Sequence, residues 1–160
     1  MPNSNMINKN SPPKLSGIAI KMLTFYSLWH MYLSKHITKT LRYSLGAKID
    51  SIFCDVLENI SLAQFSENLH RLTFIARAIS KNDTLKFLLF ALLEVGGIDQ
   101  KKYIEFSTLA EEIGRMLYGW KCSTEEKLGI KKELKKPANS GKINSIVEGE
   151  QHAHSSSSHS

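Results

Sequence analysis

The sequence predicts an all-α protein folded as an antiparallel up-down-up-down four-helix bundle. An apolar period of about 3.6 residues recurs in four separate stretches, no stretch sustains period-two alternation, and the joins are short. The bundle is expected over residues 15–120, a single domain with its own core. Residues 1–14 (MPNSNMINKNSPPK) and 121–160 are polar and hold few large apolar side chains. They are read as a disordered leading segment and a flexible, basic, Ser- and His-rich tail.

The first helix is expected from about Leu15 to Ser34, after Pro12-Pro13, with Ile18, Met22, Phe25, Trp29 and Tyr32 or Leu33 on one face. The second runs from about Thr40 to Ala63. Its stripe is Leu41, Leu45, Ile49, Ile52, Val56 and Ile60, widened by Phe53 and Leu57, and Thr38 is the expected N-cap. The third runs from about Glu67 to Val95 and stops at Gly96-Gly97. Its first half is expected to bury Leu72, Ile75, Ala76 and Ile79. From Leu85 onward (LKFLLFALLEV) it is apolar nearly all round, which in so small a bundle asks for cover from another subunit. The fourth starts after the N-cap Asp99 and ends near Trp120, with Tyr103, Phe106, Leu109, Ala110, Ile113, Met116, Leu117 and Trp120 in line.

The formal net charge is +6, of which +4 falls in residues 1–120. That excess suits an acidic partner, nucleic acid first, although an ordinary soluble basic protein also carries such a charge. The candidate phosphate contacts are Lys35, Lys39, Arg42, Lys48, Arg71 and Arg77, with the tail segment KKELKKP at 131–137. Lys35, Lys39 and Arg42 share a stripe if the corner between the first two helices is helical throughout. With no aromatic sheet platform to read bases, contact is expected to be electrostatic and tolerant of sequence.

Cys54 and Cys122 make no disulfide framework and read as unpaired thiols of a reducing compartment. No basic-then-apolar signal segment opens the sequence and no apolar run is long enough to span a bilayer, so a cytoplasmic protein is expected. Enzyme chemistry finds no support: there is no phosphate loop, His-Glu-x-x-His or Cys-x-x-Cys. A di-iron bundle needs paired Glu-x-x-His motifs, and one copy, Glu67 to His70, is present. Glu111-Glu112 reads as a solvated pair supporting Arg115. His30 and His36 read as helix-end or surface residues, and His152, His154 and His159 as tail residues without a defined metal site. No catalytic residue, metal or cofactor is expected.

EEIGRMLYGW, residues 111–120, places Gly114 and Gly119 inside a helix, where each costs about 1 kcal/mol relative to alanine. On a helical projection Gly114, Arg115, Tyr118, Gly119 and Glu111 oppose the core stripe. Either Gly119 is a helix stop and Gly114 is tolerated, or the glycines form a smooth outer groove anchored by Arg115 and approached by another chain. Arg42, Tyr43 and Gly46 repeat the same ingredients at the start of the second helix. There too, packing within the monomer competes with a partner contact. The candidate interface is Gly46, Gly114, Arg115, Tyr118, Gly119 and Trp120.

Ile37-Thr38-Lys39-Thr40-Leu41-Arg42-Tyr43-Ser44-Leu45-Gly46 resembles a family pattern of an apolar residue, Pro, Lys, two variable residues and Arg-Tyr-x-Leu-Gly. Tyr103 followed by Glu112-Ile113-Gly114-Arg115-Met116-Leu117-Tyr118-Gly119-Trp120 resembles the same family's Tyr, spacer and Glu-Ile-Gly-Arg-Met-Leu-Gly-Gly-Trp. DTLKFLLFALLE (83–94) is similar to its third helix. The family is the four-helix-bundle group of Avd, the accessory variability determinant of bacterial diversity-generating retroelements. It also holds the small proteins encoded by intervening sequences in 23S rRNA genes. Thr38 departs from its proline and Tyr118 from a glycine. The resemblance implies a basic homopentamer without catalytic activity. In the retroelement systems it implies binding of a reverse transcriptase and template RNA in support of mutagenic cDNA synthesis.

Overall fold

The computed structural model describes residues 14–130, so the readings placed on residues 1–13 and 131–160 lie outside the described residues. Helix α1 spans Gly17–His36. A short α2 (Lys39–Leu41) leads through a π-helical turn, Arg42–Gly46, into α3 (Ala47–Phe65). Helices α4 (Asn68–Glu94) and α5 (Gln100–Lys127) complete the bundle. The four long helices meet in a ring: α3 packs on α4, α4 on α5, and α1 on both α3 and α5.

Local chemistry sets each boundary. Ser16 caps α1 by accepting from the Ala19 N–H at 3.3 Å. Gln64 clamps that start to the end of α3, accepting from Ser16 N at 3.1 Å and donating to Lys14 O at 3.0 Å. The first two corners are two-residue extended joins, Ile37-Thr38 and Ser66-Glu67. Thr38 takes the expected N-cap position, but its hydroxyl makes no capping bond. At the third corner Gly96, at φ 73°, closes a Schellman turn: Gly97 N–H reaches Leu92 O at 2.9 Å and Gly96 N–H reaches Leu93 O at 3.0 Å. Asp99 then caps α5 through the Lys102 N–H at 2.9 Å.

The buried stripes follow alternating steps of three and four residues. On α4 the stripe is Ile75, Ala78, Asn82, Leu85, Leu89 and Leu92, and on α5 it is Phe106, Ala110, Ile113, Leu117 and Thr124. This is the spacing of a bundle whose helices cross at about 20°. It rotates the first half of α4 from expectation: Ala76 is exposed, Leu72 and Ile79 are half-buried, and Ala78 is in the core. α5 also continues past the expected end at Trp120, because Thr124 is buried with its hydroxyl on Trp120 O at 2.9 Å. Gly129, at φ 74°, lies just beyond its end.

An aromatic cluster joins α1, α3 and α5. Phe25 meets Phe53 edge-on at 4.7 Å, Trp29 stacks on Phe53 at 5.7 Å, and Tyr32 meets Phe106 edge-on at 5.6 Å. Such pairs add about 0.5–1.5 kcal/mol each beyond the area they bury. The Trp29 indole N–H is satisfied by Asp50 Oδ1 at 3.2 Å.

Candidate nucleic-acid interface

The up-down course brings the end of α1, the start of α2, the end of α4 and the start of α5 to one end of the bundle. Gly97 packs against Leu92 and Leu41, Tyr32 stacks on His36 at 5.0 Å, and Lys102 Nζ stands 5.9 Å over the Tyr32 ring. Lys35, Lys39 and Lys101 are exposed at this end, and Lys48 follows in the first turn of α3. None of the four has an ion pair or side-chain hydrogen bond among the described residues. Lysines along the body are mostly neutralised: Lys21 pairs with Glu112, Lys81 with Asp55 at 2.8 Å, and Lys86 with Asp83 and Glu111 at 3.1 and 3.2 Å. Burial pulls the Lys86 ammonium down, and the hydrogen bonds and charges of Asp83 and Glu111 outweigh it, leaving it above its ordinary value.

The expected stripe Lys35–Lys39–Arg42 does not form. Ile37 and Thr38 are extended, which breaks the helix between Lys35 and Lys39. Arg42 folds back instead, its Nη2 donating to Ser34 O at 2.9 Å and Ile37 O at 3.0 Å, where it caps the orphan carbonyls of α1. Arg71 does the same for α3 at the opposite end of the bundle, from Nε to Ala63 O at 3.0 Å and from Nη2 to Ser66 O at 2.8 Å. Arg77 lies on α4 over the Phe74 ring at 5.7 Å. The six candidate cations therefore divide into Lys35, Lys39 and Lys48 in one region, two arginines engaged in capping, and one apart.

The candidate interface residues divide too. Gly46 is buried: a Cβ there would stand 2.8 Å from Leu33 Cδ1 and 2.9 Å from Leu41 O, so the glycine admits α1 rather than a partner. Gly114 faces Asn82 of α4, whose Nδ2 would be 3.3 Å from a Cβ at that position and donates to Ala110 O at 2.9 Å. It sits on a helix–helix seam, not on the outer face. Trp120 is half-buried against the core. Arg115, Tyr118 and Gly119 are exposed on the outer face of α5, and nothing stands within 4 Å of a Cβ at Gly119. Arg115 lacks the expected support of Glu111, which turns to Lys86. Ile104, Phe87, Phe90 and Val95 add exposed apolar surface on α4 and α5. Asn82 is fully buried on the α4 stripe, and its signal in the sequence is one polar residue in an otherwise apolar three-four spacing.

Among the described residues no group of three His, Cys, Asp or Glu side chains converges to hold a metal. Glu67 is the N-cap residue of α4 and His70 is exposed in its first turn. Cys54 is an exposed free thiol 4.0 Å from the Tyr26 hydroxyl. Burial, with the charges of Asp50 and Cys54, pushes the Tyr26 phenol up to about 12. No helix among the described residues is long and apolar enough to cross a membrane.

This is a helical bundle with a cationic end and a partly apolar flank. Neither a protein-family model nor a curated protein matches the chain. Its fold is shared with the crystal structure of a protein of unknown function from the S23 ribosomal protein family of Bacteroides thetaiotaomicron. The two superpose with a TM-score of 0.59 at 16% sequence identity, over 64% of this chain and 92% of that one.

Proposed function

We propose that this chain is a non-catalytic accessory protein that assembles with copies of itself and binds nucleic acid at the end where α1 closes and α5 opens. The observation that carries the reading is the segregation of its cations. Lysines along the body are mostly paired with carboxylates, while Lys35, Lys39, Lys48 and Lys101 stand free in one region. The chain also carries no Asp or Glu before Asp50, so α1, α2 and the π turn bring only positive charge to that end. Backbone phosphates fit such a surface, and the affinity falls steeply with salt.

Phe87, Phe90, Ile104 and Tyr118 are exposed large apolar side chains, and covering them between copies would favour self-assembly. The Arg-Tyr-x-Leu-Gly and Glu-Ile-Gly-Arg-Met-Leu stretches favour the Avd-type role: a homopentamer that binds a reverse transcriptase and its template and supports mutagenic cDNA synthesis. The fold shared with an S23 ribosomal protein family member favours a second reading, a bundle of the 23S intervening-sequence type whose role is not defined by a polymerase.

Light scattering with and without a short structured RNA, at two salt concentrations, tests the shared part of both readings. A multiple of 18.1 kDa that takes up RNA at low salt is expected. A monomer indifferent to RNA removes both. Capture of a tagged reverse transcriptase from the same genome by the assembled protein separates the first reading from the second.

A further inference from the structure

We propose that Tyr43 is a base-stacking platform, and that the nucleic acid held at this end is single-stranded. The inference rests on the nucleic-acid reading above and adds to it the class of ligand. Tyr43 is 73% exposed, more than any other large hydrophobic side chain among the described residues, and its ring meets no other aromatic side chain there. Yet its backbone is held on both sides. Arg42 is tied to the α1 carbonyls, Leu45 packs on the core, and Gly46 is pressed against Leu33. A fixed backbone presenting a bare ring to solvent is pre-organised to bind, since little further order is needed.

The π turn sets what flanks the ring. In an unbroken α-helix the nine steps from Lys39 to Lys48 would turn the chain by about 180° and place the two lysines on opposite faces. The turn Arg42–Gly46 absorbs one extra residue. The same nine steps then turn it by about 80°, so Lys39, Tyr43 and Lys48 follow one another along one side. All three are exposed, as are Ser44 and Ala47 beside them, and no carboxylate lies in the chain between Lys39 and Lys48. Of the acids at this end, Asp50 accepts from Trp29, Asp99 caps α5 and Glu105 bonds Lys102 at 2.6 Å, while Glu94 is exposed in the last turn of α4. A cation, an aromatic face and a second cation in sequence match a strand whose phosphates bracket an unpaired base. A duplex keeps its base faces stacked and offers none to the ring.

The test is the affinity of the full chain for labelled oligo-uridylate and oligo-thymidylate of about twelve nucleotides, for an abasic strand of equal length, and for a duplex. Tyr43→Ala should weaken binding of both single strands by roughly 5- to 100-fold and leave the salt slope unchanged, while Tyr43→Phe stays within about 2-fold of the parent. Lys39→Gln with Lys48→Gln should instead reduce the salt slope by about two phosphates. The abasic strand should bind the parent about as weakly as the base-bearing strands bind Tyr43→Ala. Equal binding of base-bearing and abasic strands overturns the stacking role and leaves the electrostatic reading in place. So does a Tyr43→Ala protein of parental affinity, or one whose solution mass changes, which would assign the ring to a protein contact. Binding of none of the strands overturns both readings.

Discussion

Arg42 and Arg71 occupy the same position relative to the helix each one follows. Each guanidinium reaches back to the backbone carbonyls eight and five residues earlier, Ser34 and Ile37 for Arg42, Ala63 and Ser66 for Arg71. The amide of each also closes the first turn of its own helix, on Thr38 O at 2.8 Å and Glu67 O at 2.7 Å. The two corners are one device used at opposite ends of the bundle. A long cation from the incoming helix satisfies the carbonyls that the outgoing helix leaves open, within a join of two residues.

Removing either fork leaves carbonyls short of a partner at a tight corner. Arg42→Ala and Arg71→Ala should each destabilise the fold by about 2 kcal/mol. Lysine should restore only part, since one ammonium lacks the planar fork that bridges two carbonyls. Arg71 is expected to cost the more, because its Nε is bonded whereas that of Arg42 is buried without a partner. Urea midpoints at unchanged m-value check this, and the double variant should be additive within about 0.5 kcal/mol across the bundle. An Arg42→Ala midpoint equal to the parent's would return Arg42 to the pool of free cations.

The helical glycines should part company. At Gly46 a methyl group meets the Leu33 side chain and a backbone oxygen that cannot move aside, so Gly46→Ala should destabilise by about 1–3 kcal/mol. Gly119 lies in open space within the monomer, and Gly119→Ala should stabilise by up to about 1 kcal/mol. Thermal unfolding of the two variants side by side reads both signs. A stabilised Gly46→Ala protein would contradict the close approach of α1 to the π turn.

Tyr26 ties stability to alkaline pH. Its folded value of about 12, set by burial with Asp50 and Cys54, exceeds the ordinary value near 10. Between these, the unfolded chain has released a proton that the folded chain keeps. The contribution is complete below about pH 10 and is lost as pH rises toward 12. Phenolate absorbance should show Tyr26 titrating late, and Asp50→Asn should move it down by removing a negative charge, though burial keeps it raised. A Tyr26 titration unchanged in Asp50→Asn would separate the two residues.

Most of the fold was legible because periodicity is a property of side chains that point into one core. Met22, Phe25, Trp29, Ile49, Val56, Phe106 and Leu117 are buried as their spacing requires. The end of α5 was hidden because its stripe continues through a threonine: Thr124 joins the core by returning its hydroxyl to the helix backbone. The rotation of α4 was hidden because Leu72, Ala76 and Ile79 are apolar as well, and only packing decides among them. The site was less legible. Sequence shows which residues are cationic, but whether each is free depends on folding: Arg42 and Arg71 turn inward to carbonyls eight residues back, while Lys35 and Lys39, close to Arg42 in the chain, do not. The π turn, which brings Lys48 round toward Tyr43, leaves no mark in a pattern read at a fixed period.

Arg115 is the residue whose role the monomer leaves open, and that makes it a sharp test of assembly. It is exposed, it has neither ion pair nor hydrogen bond among the described residues, and its neighbours Tyr118 and Gly119 lie bare on the same face. Glu111, one turn away, is held by Lys86 at 3.2 Å. Arg115→Ala should therefore leave the unfolding midpoint of a dilute, dissociated chain within about 0.5 kcal/mol of the parent. In an assembly where Arg115 meets a carboxylate or carbonyl of a second copy, the same change should weaken association by about 10-fold or more, because an interfacial arginine leaves its partner unpaired when truncated. Sedimentation across a concentration series separates the two effects. A loss of mass without a loss of monomer stability places Arg115 between copies, and an unchanged mass with unchanged stability removes it from the interface.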